Sequence, residues 1–382
     1  MAVLAAMALS WLSARSELTA SLITCYPGPE IYELCGHSAI RVRGEGIDSV
    51  WNFGIFDFTE PNFVYRFVKG ETDYRCAAYP FAWFLPEYKA RGSRVVEQDL
   101  NLTQQETQHL LNLLRRDALP ENAKYRYNYV KDNCAIRILD RMDGALGEKI
   151  AYPDTVAYGT FRNEMRKYHS NYPWYQFGID LALGSGLDYP ISAREEMFVP
   201  MDMMREAAGA RLNDGRPLIK DTRVLNEGIP NAILPPTSWW LTPLFWGWII
   251  FACAIILCAY EFKSKKIYPV PYAFWFSILG LGGILISFLV FISSHEATSP
   301  NVLIFWLNPL QFVFVAGICI VKLKPGAIVM AWYNSIVIAV LLLIWPFITQ
   351  SANPAFFPLM GATLAMAATY AIIAHKSSYN NK

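Results

Sequence analysis

Two residues in the chain combine type and position in a way that points to chemistry, Cys134 and His37. Cys134 follows Asp132-Asn133, a helix-capping signal, and Ala135, Ile138, Leu139 and Met142 recur behind it on one helical face. The thiol is therefore expected on the first turn of a buried helix. The free N–H groups and partial positive charge of a helix N-terminus favour a thiolate over a thiol, and the same N–H groups can hold the oxyanion of a tetrahedral intermediate. Such a thiolate needs an imidazole to exchange protons with. Of the five histidines, His295 and His375 fall in the apolar half of the chain, His109 in the middle of a predicted helix and His169 in the polar run Arg166–Asn171. His109 and His169 read as surface or half-buried residues. His37, between Gly36 and Ser38, opens an alternating run, Ser38–Val42, that reads as a strand. A lone His is usually structural, but a His on a strand ahead of a Cys at a helix start is a considerably more specific signal, that of a Cys nucleophile with an imidazole partner.

The elements that must position this pair are partly readable. Ile40 and Val42 fall on one face of the first strand and His37, Ala39 and Arg41 on the other. Gly44-Glu45-Gly46 turns the chain, and Val50–Phe56 reads as the return strand. Thr103-Gln-Gln-Glu106 has capping-box spacing, and Leu110, Leu111, Leu113 and Leu114 follow at helical intervals. The alternating run Tyr125–Val130 predicts a strand leading directly to Cys134.

Composition sets where this chemistry occurs. Residues 1–237 carry 26 Lys and Arg against 30 Asp and Glu, whereas residues 238–382 carry seven Lys, no Arg, and only Glu261 and Glu296. The second half cannot fold in water without exposing large apolar surfaces, so a wholly soluble protein is excluded. The near-neutral net charge and the absence of a Lys/Arg-rich run in the first 237 residues count against a nucleic-acid binder. A bilayer crossing takes about 20 apolar residues, and five stretches qualify, near 239–260, 268–293, 302–321, 327–348 and 355–374. The Lys residues lie after the first, third and fifth of these, which predicts a cytoplasmic C-terminus and a charged domain on the outside. The largely apolar run Ala2–Leu12 has the length of a signal-peptide core, although no Lys or Arg precedes it. The expected domains are a signal segment at 1–16, an extracytoplasmic catalytic domain at 17–236 and a five-helix membrane domain at 237–382. Gly280, Gly282 and Gly283 read as helix-packing residues. Asn308, Pro309, Gln311, Asn334 and Ser335 are polar positions within spans, read either as interhelical hydrogen bonding or as a groove for a lipid headgroup. No carboxylate falls inside a predicted span.

Three segments together resemble a known family. Leu22-Ile-Thr-Cys-Tyr-Pro-Gly-Pro-Glu-Ile-Tyr-Glu-Leu-Cys-Gly-His37-Ser-Ala-Ile-Arg-Val42, Trp51-Asn-Phe-Gly-Ile-Phe-Asp-Phe58 and Tyr127-Asn-Tyr-Val-Lys-Asp-Asn-Cys134 are similar to the N-terminal periplasmic domain of Lnb-type lipoprotein N-acyltransferases, with likeness continuing to Met197-Phe-Val-Pro200. The resemblance implies an α+β, circularly permuted papain-like domain of the LRAT-like kind, followed by an all-α transmembrane bundle of about five helices in the bacterial inner membrane. It implies Cys134 as nucleophile, His37 as general base and Asn52 as the polar residue that orients the His. It also implies a phospholipid acyl donor and a diacylated lipoprotein acceptor, both anchored in the bilayer. A phospholipase A, a membrane-bound cysteine peptidase or amidase, and an inactive papain-like binding module are the rival readings.

The remaining candidates are weaker. Arg41 and Arg137 flank the pair in sequence and are expected to bind a lipid phosphate or to be ordinary exposed residues. Tyr127 and Tyr129 alternate before Cys134 and are expected to line an acyl channel or to pack in the core. Cys25, Cys35 and Cys76 leave one disulfide open, with the pairing unreadable. The segment Phe177–Pro200 mixes apolar and charged residues and is expected to form a lid against the membrane. No metal-spaced His/Glu pair, Cys-x-x-Cys or phosphate-binding loop occurs, so no metal and no cofactor are expected.

Overall fold

The computed structural model describes residues 17–147, 150–152, 158–229 and 235–379, and the expected signal segment at 1–16 lies outside them. The chain divides into two compact units, one of residues 1–67, 71–168 and 190–235 and the other of residues 68–70, 169–189 and 236–382.

The described elements begin with β1 (Thr19–Cys25), β2 (His37–Gly44), β3 (Ile47–Ile55), α1 (Phe63–Lys69), β4 (Asp73–Pro80), α2 (Phe81–Ala90), β5 (Val95–Leu100) and α3 (Gln104–Asp117). They continue with β6 (Lys124–Arg126), α4 (Cys134–Leu146), β7 (Tyr158–Thr160), α5 (Phe161–His169), α6 (Pro173–Ala182), β8 (Pro190–Ile191), α7 (Ala193–Glu196), α8 (Pro200–Gly209) and β9 (Ile219–Asn226).

The first unit is built on a seven-stranded antiparallel sheet in the order β6-β4-β3-β2-β1-β5-β9. Strand alternation sends two sets of apolar side chains to opposite faces. Leu22, Ile40, Val42, Trp51 and Phe53 form one core with Leu110, Leu111 and Leu114 of α3 and Ala135, Ile138, Leu139 and Met142 of α4. Ile23, Ala39, Val50 and Val95 form the other with Phe84 and Tyr88 of α2. The β2–β3 turn sets Ala39 opposite Asn52. The capping box of α3 is present, with Thr103 Oγ accepting from Glu106 N at 3.2 Å and the Glu106 carboxylate accepting from Thr103 N at 2.7 Å.

One expectation here is corrected. The strand expected over 125–130 stops at Arg126, because Asn128 Oδ1 accepts from Val130 N at 3.2 Å and Lys131 N at 3.1 Å. A side chain that offers the backbone a local partner competes with a sheet ladder, so a turn replaces the second half of the strand.

The second unit holds α9 (Pro243–Ser264), α10 (Pro269–Phe291), α11 (Gln311–Cys319), α12 (Lys324–Ile344) and α13 (Phe356–Tyr379). Among the described residues, four helical stretches are long and apolar enough to cross a membrane: Pro243–Ser264, Pro269–Phe291, Val321–Phe347 and Phe356–His375. The expected stretch 302–321 is divided into a turn at Val302–Phe305 and the nine-residue α11. Pro309 supplies no N–H and disfavours helix at Asn308, which separates the two pieces. Gln311 Nε2 donates to Asn334 Oδ1 at 2.8 Å and Asn334 Nδ2 to Gln311 Oε1 at 2.9 Å, so these amides satisfy each other across α11 and α12. A side chain at Gly283 would lie 2.3 Å from the Asn308 backbone, a close approach of the packing kind.

The expectation of no carboxylate within a span is also corrected. The first membrane helix continues past residue 260, and Glu261 is wholly buried, accepting from Tyr268 N at 2.7 Å and the Tyr272 hydroxyl at 2.5 Å. The expected lid is split between units. Residues 177–189 belong to the membrane unit, where the Phe177 ring meets Phe356 at 5.3 Å and Asn353 Nδ2 donates to Asp180 at 2.9 Å, while 190–200 belong to the sheet unit. His169, expected at or near the surface, is buried and pairs with Gln176 Oε1 through Nδ1 at 2.8 Å.

Candidate active site

Cys134 opens α4, and its cap explains why the helix starts there. Asn133 Oδ1 accepts from Ile136 N at 3.0 Å, while Asn133 Nδ2 donates to the carbonyls of Tyr129 at 2.9 Å and Phe198 at 2.7 Å. The buried Asn thus ties the helix N-terminus to two other segments. His37 opens β2, and two glycines clear the space around the pair. Gly36 has φ +76° and a side chain there would lie 2.6 Å from the Cys25 carbonyl oxygen. Gly54 has φ +85° and passes beside Cys134, whose Cβ lies 3.8 Å from where a side chain would begin.

The polar contacts form a line. His37 Nε2–H donates to Asn52 Oδ1, and Asn52 Nδ2 donates to the Tyr79 hydroxyl. The His37 ring and the backbone N–H groups of Ser38 and Ala135 lie near enough to the Cys134 sulfur to favour its charged form. Burial pushes the Cys134 thiol up, but the His37 charge, its hydrogen bond and the two N–H groups outweigh that, and its pKa ends below the ordinary value. Burial pushes His37 down, yet the Cys134 charge and hydrogen bond, with help from Asn52, leave it raised. The two shifts share one cause, since a negative sulfur and a protonated imidazole stabilise each other. The other three cysteines of the sheet unit behave oppositely. Burial pushes Cys35 and Cys76 to about 12 and Cys25 well above its ordinary value. All seven cysteines of the chain are free thiols.

A family model described as the Lnb N-terminal periplasmic domain matches residues 12–166, and one described as the Lnb transmembrane domain matches residues 236–378. The chain belongs to the Lnb family. No curated protein and no solved structure matches it. As an Lnb protein it is a multi-pass membrane protein with a periplasmic domain, and an enzyme of lipoprotein maturation.

In this Lnb protein Cys134, His37 and Asn52 are brought together, whereas the two arginines are engaged elsewhere. Arg41 is buried, with Nε and Nη2 on Asp48 at 2.7 and 2.8 Å, Nη1 on Glu97 at 3.1 Å, and its guanidinium 3.4 Å from the Phe81 ring centre. Arg137 makes a two-pronged pair with Asp132 at 2.6 and 2.8 Å and stacks over Tyr125 at 3.5 Å. Both guanidinium groups are thus paired with carboxylates and covered by a ring, and the contacts they make are structural pairings within the sheet unit. Tyr127 is half-buried, stacked on Tyr74 at 4.1 Å and packed against the core cluster that contains Cys134, and burial first, then the Cys134 charge, pushes its hydroxyl pKa up. Tyr129 is more exposed, and its hydroxyl lies 3.3 Å from Cys35 Sγ.

Sequence reading missed Tyr79, which holds the far side of Asn52, and Tyr88, whose ring lies parallel to His37 at 6.3 Å. The available signal was alternation in Asp73–Pro80, which puts Tyr79 on the face of Ala77, the partner of Asn52. It also missed a buried acidic group, Glu164, Glu196 and Asp202, whose ligand atoms lie within 4.8 Å of one another. Lys167 bonds Glu164, and Arg205 reaches Asp202 at 2.6 Å and Glu196 at 3.0 Å, so two cations already balance the cluster.

Proposed function

We propose that this Lnb protein is a lipoprotein N-acyltransferase working through a thioester on Cys134. The observation that carries the reading is the Cys134 thiol itself. It alone among the sheet unit's four cysteines is lowered toward thiolate, at a helix N-terminus, beside His37, in a chain whose other half lies in a membrane. Its substrates would be lipids of that membrane. The sulfur attacks the ester carbonyl of a phospholipid, forming C–S and breaking C–O, and His37 gives its proton to the departing alkoxide, releasing lysophospholipid. The α-amine of a diacylglyceryl-Cys at a lipoprotein N-terminus then attacks the thioester, forming C–N and breaking C–S. His37 takes the amine proton, and the thiolate is restored. Asn52, held by Tyr79, orients the imidazole through Nε2, and the Ala135 N–H at the start of α4 supports an oxyanion role for the helix end. The order of a strand-borne His before a helix-borne Cys supports the permuted papain-like reading.

The test is intact-mass analysis of a diacylated lipopeptide incubated with phospholipid and either the full-length protein or Cys134→Ala. One added acyl chain on the peptide amine, absent with the variant, is the expected result. Released fatty acid with an unchanged peptide would replace the reading with a phospholipase A, and an unchanged phospholipid would overturn acyl chemistry altogether.

A further inference from the structure

The sheet unit exposes apolar side chains on two segments that both lead into the Cys134 site. Ile31 and Tyr32, 53% and 56% exposed, lie on the short turn that runs into Cys35, Gly36 and His37. Phe58, Val64, Tyr65 and Phe67, at 61%, 73%, 55% and 46%, follow Gly54, the residue that passes beside Cys134. In a soluble domain such a concentration is costly to leave in water and marks a contact site. These residues are not scattered. Rings meet in series from the site outward: Tyr127 with Tyr74 at 4.1 Å, Tyr74 with Phe56 at 5.1 Å, Phe56 with Phe58 at 4.6 Å, Phe58 with Phe63 at 5.0 Å and Phe63 with Phe67 at 6.2 Å. Tyr32 joins the series from the other segment, 6.2 Å from Phe56 and 6.1 Å from Phe58. The series therefore starts at Tyr127, which packs against the same core cluster as Cys134, and ends in side chains that are about half exposed or more.

Its outer end also continues along the chain into the membrane unit. One residue after Phe67, the stretch Val68–Gly70 belongs to the membrane unit, where Ser293 Oγ donates to the Val68 carbonyl at 2.8 Å and Ser294 Oγ to the Gly70 carbonyl at 3.0 Å, just past the end of α10. We infer that the ring series from Phe67 to Tyr127 is the track along which one acyl chain of a bilayer phospholipid lies while its ester carbonyl is presented to Cys134. Rigid aromatic faces suit a chain with no polar groups and no fixed length, since they offer contact without demanding a hydrogen bond. The inference rests on the function proposed above for the choice of phospholipid, but the track is a statement about binding and is tested as one.

The experiment uses full-length Cys134→Ala protein in phosphatidylethanolamine vesicles containing a phospholipid with a diazirine near the end of a 16-carbon acyl chain. After illumination, peptide mapping is expected to find adducts on residues 55–67 and 31–32. Adducts confined to the membrane helices would overturn the track, whether or not the enzyme transfers acyl groups. A second arm follows thioester formation on Cys134 by intact mass in the wild type and in Phe58→Ser/Val64→Ser, two exposed positions whose change leaves the core intact. At least a tenfold loss is expected with 16-carbon donors and less than a twofold loss with 6-carbon donors. Equal rates for both proteins with the long donor, or equal losses with both donors, would overturn the inference. No thioester in the wild type with either donor would instead remove the proposed function, leaving the adduct map to decide whether the track binds lipid.

Discussion

At the residue scale, the site depends on one thiol being treated differently from its neighbours. Cys25, Cys35 and Cys76 are buried without compensation, and their pKa values rise. Cys134 is buried as well, but an imidazolium and two N–H groups reverse the outcome. The sign of the pH dependence follows. Thiolate persists on Cys134 below the ordinary thiol value near 8.5 and is lost as pH falls through its lowered pKa, while His37 keeps its proton to a pH above its own ordinary value. Alkylation of Cys134 by iodoacetamide, followed by peptide mass mapping, should therefore inflect below about 8.5. In His37→Ala the largest remaining influence is burial, which raises the thiol. The inflection should move above that value, and the rate at pH 7 should fall by about tenfold or more, since each unit of pKa is a tenfold change in thiolate. A profile unmoved by the substitution would mean that the imidazole does not hold the thiolate.

At the element scale, the N-terminus of α4 is the structural pivot. Asn133 caps the helix and donates to the carbonyls of Tyr129 and Phe198, linking the Cys-bearing helix to the preceding turn and to the segment before α8. Asn133→Ala removes one cap bond and leaves two carbonyls, the buried one of Phe198 and the partly buried one of Tyr129, short of a donor. Loss of a cap costs about 1 kcal/mol, and the unpaired carbonyls add roughly 1–3 kcal/mol. The variant should show a clearly lower melting temperature in detergent, together with slower alkylation of Cys134 as the first turn frays. A variant that melts with the wild type would show that the helix start is held by packing alone.

At the scale of the whole molecule, the two halves solve different solvation problems. The sheet unit carries most of the charge, and the second unit buries amides against each other and small residues against backbone, as at Gln311–Asn334 and Gly283–Asn308. Four long apolar helices and one divided stretch leave the parity of crossings to be decided by charge. By the positive-inside rule the seven Lys residues of 238–382 predict a cytoplasmic C-terminus, and with a periplasmic domain ahead of the first span that expectation requires the divided stretch 302–321 to cross. A C-terminal green fluorescent protein fusion should fluoresce and a C-terminal alkaline phosphatase fusion should be inactive. The reverse pattern would mean that the divided stretch re-enters without crossing.

What the sequence determined by itself is what depends on near neighbours or on averages. The caps at Thr103 and Asn133, the alternation of β2 and β3, and the contrast in charge between the halves are local or compositional signals, and they located Cys134 and His37 on their elements. Asn52 was within reach because the tight turn after Gly44 sets the β2–β3 register. The tertiary structure alone decided what depends on distant partners. Arg41 is consumed partly by Glu97, 56 residues away, and Asn52 is held by Tyr79, 27 residues away. Residues 169–189 joined the membrane unit through Asn301 and Asn353, more than 100 residues on. The fate of a side chain's hydrogen bonds and charge depends on what lies beside it in space, and a single sequence records only what lies beside it along the chain.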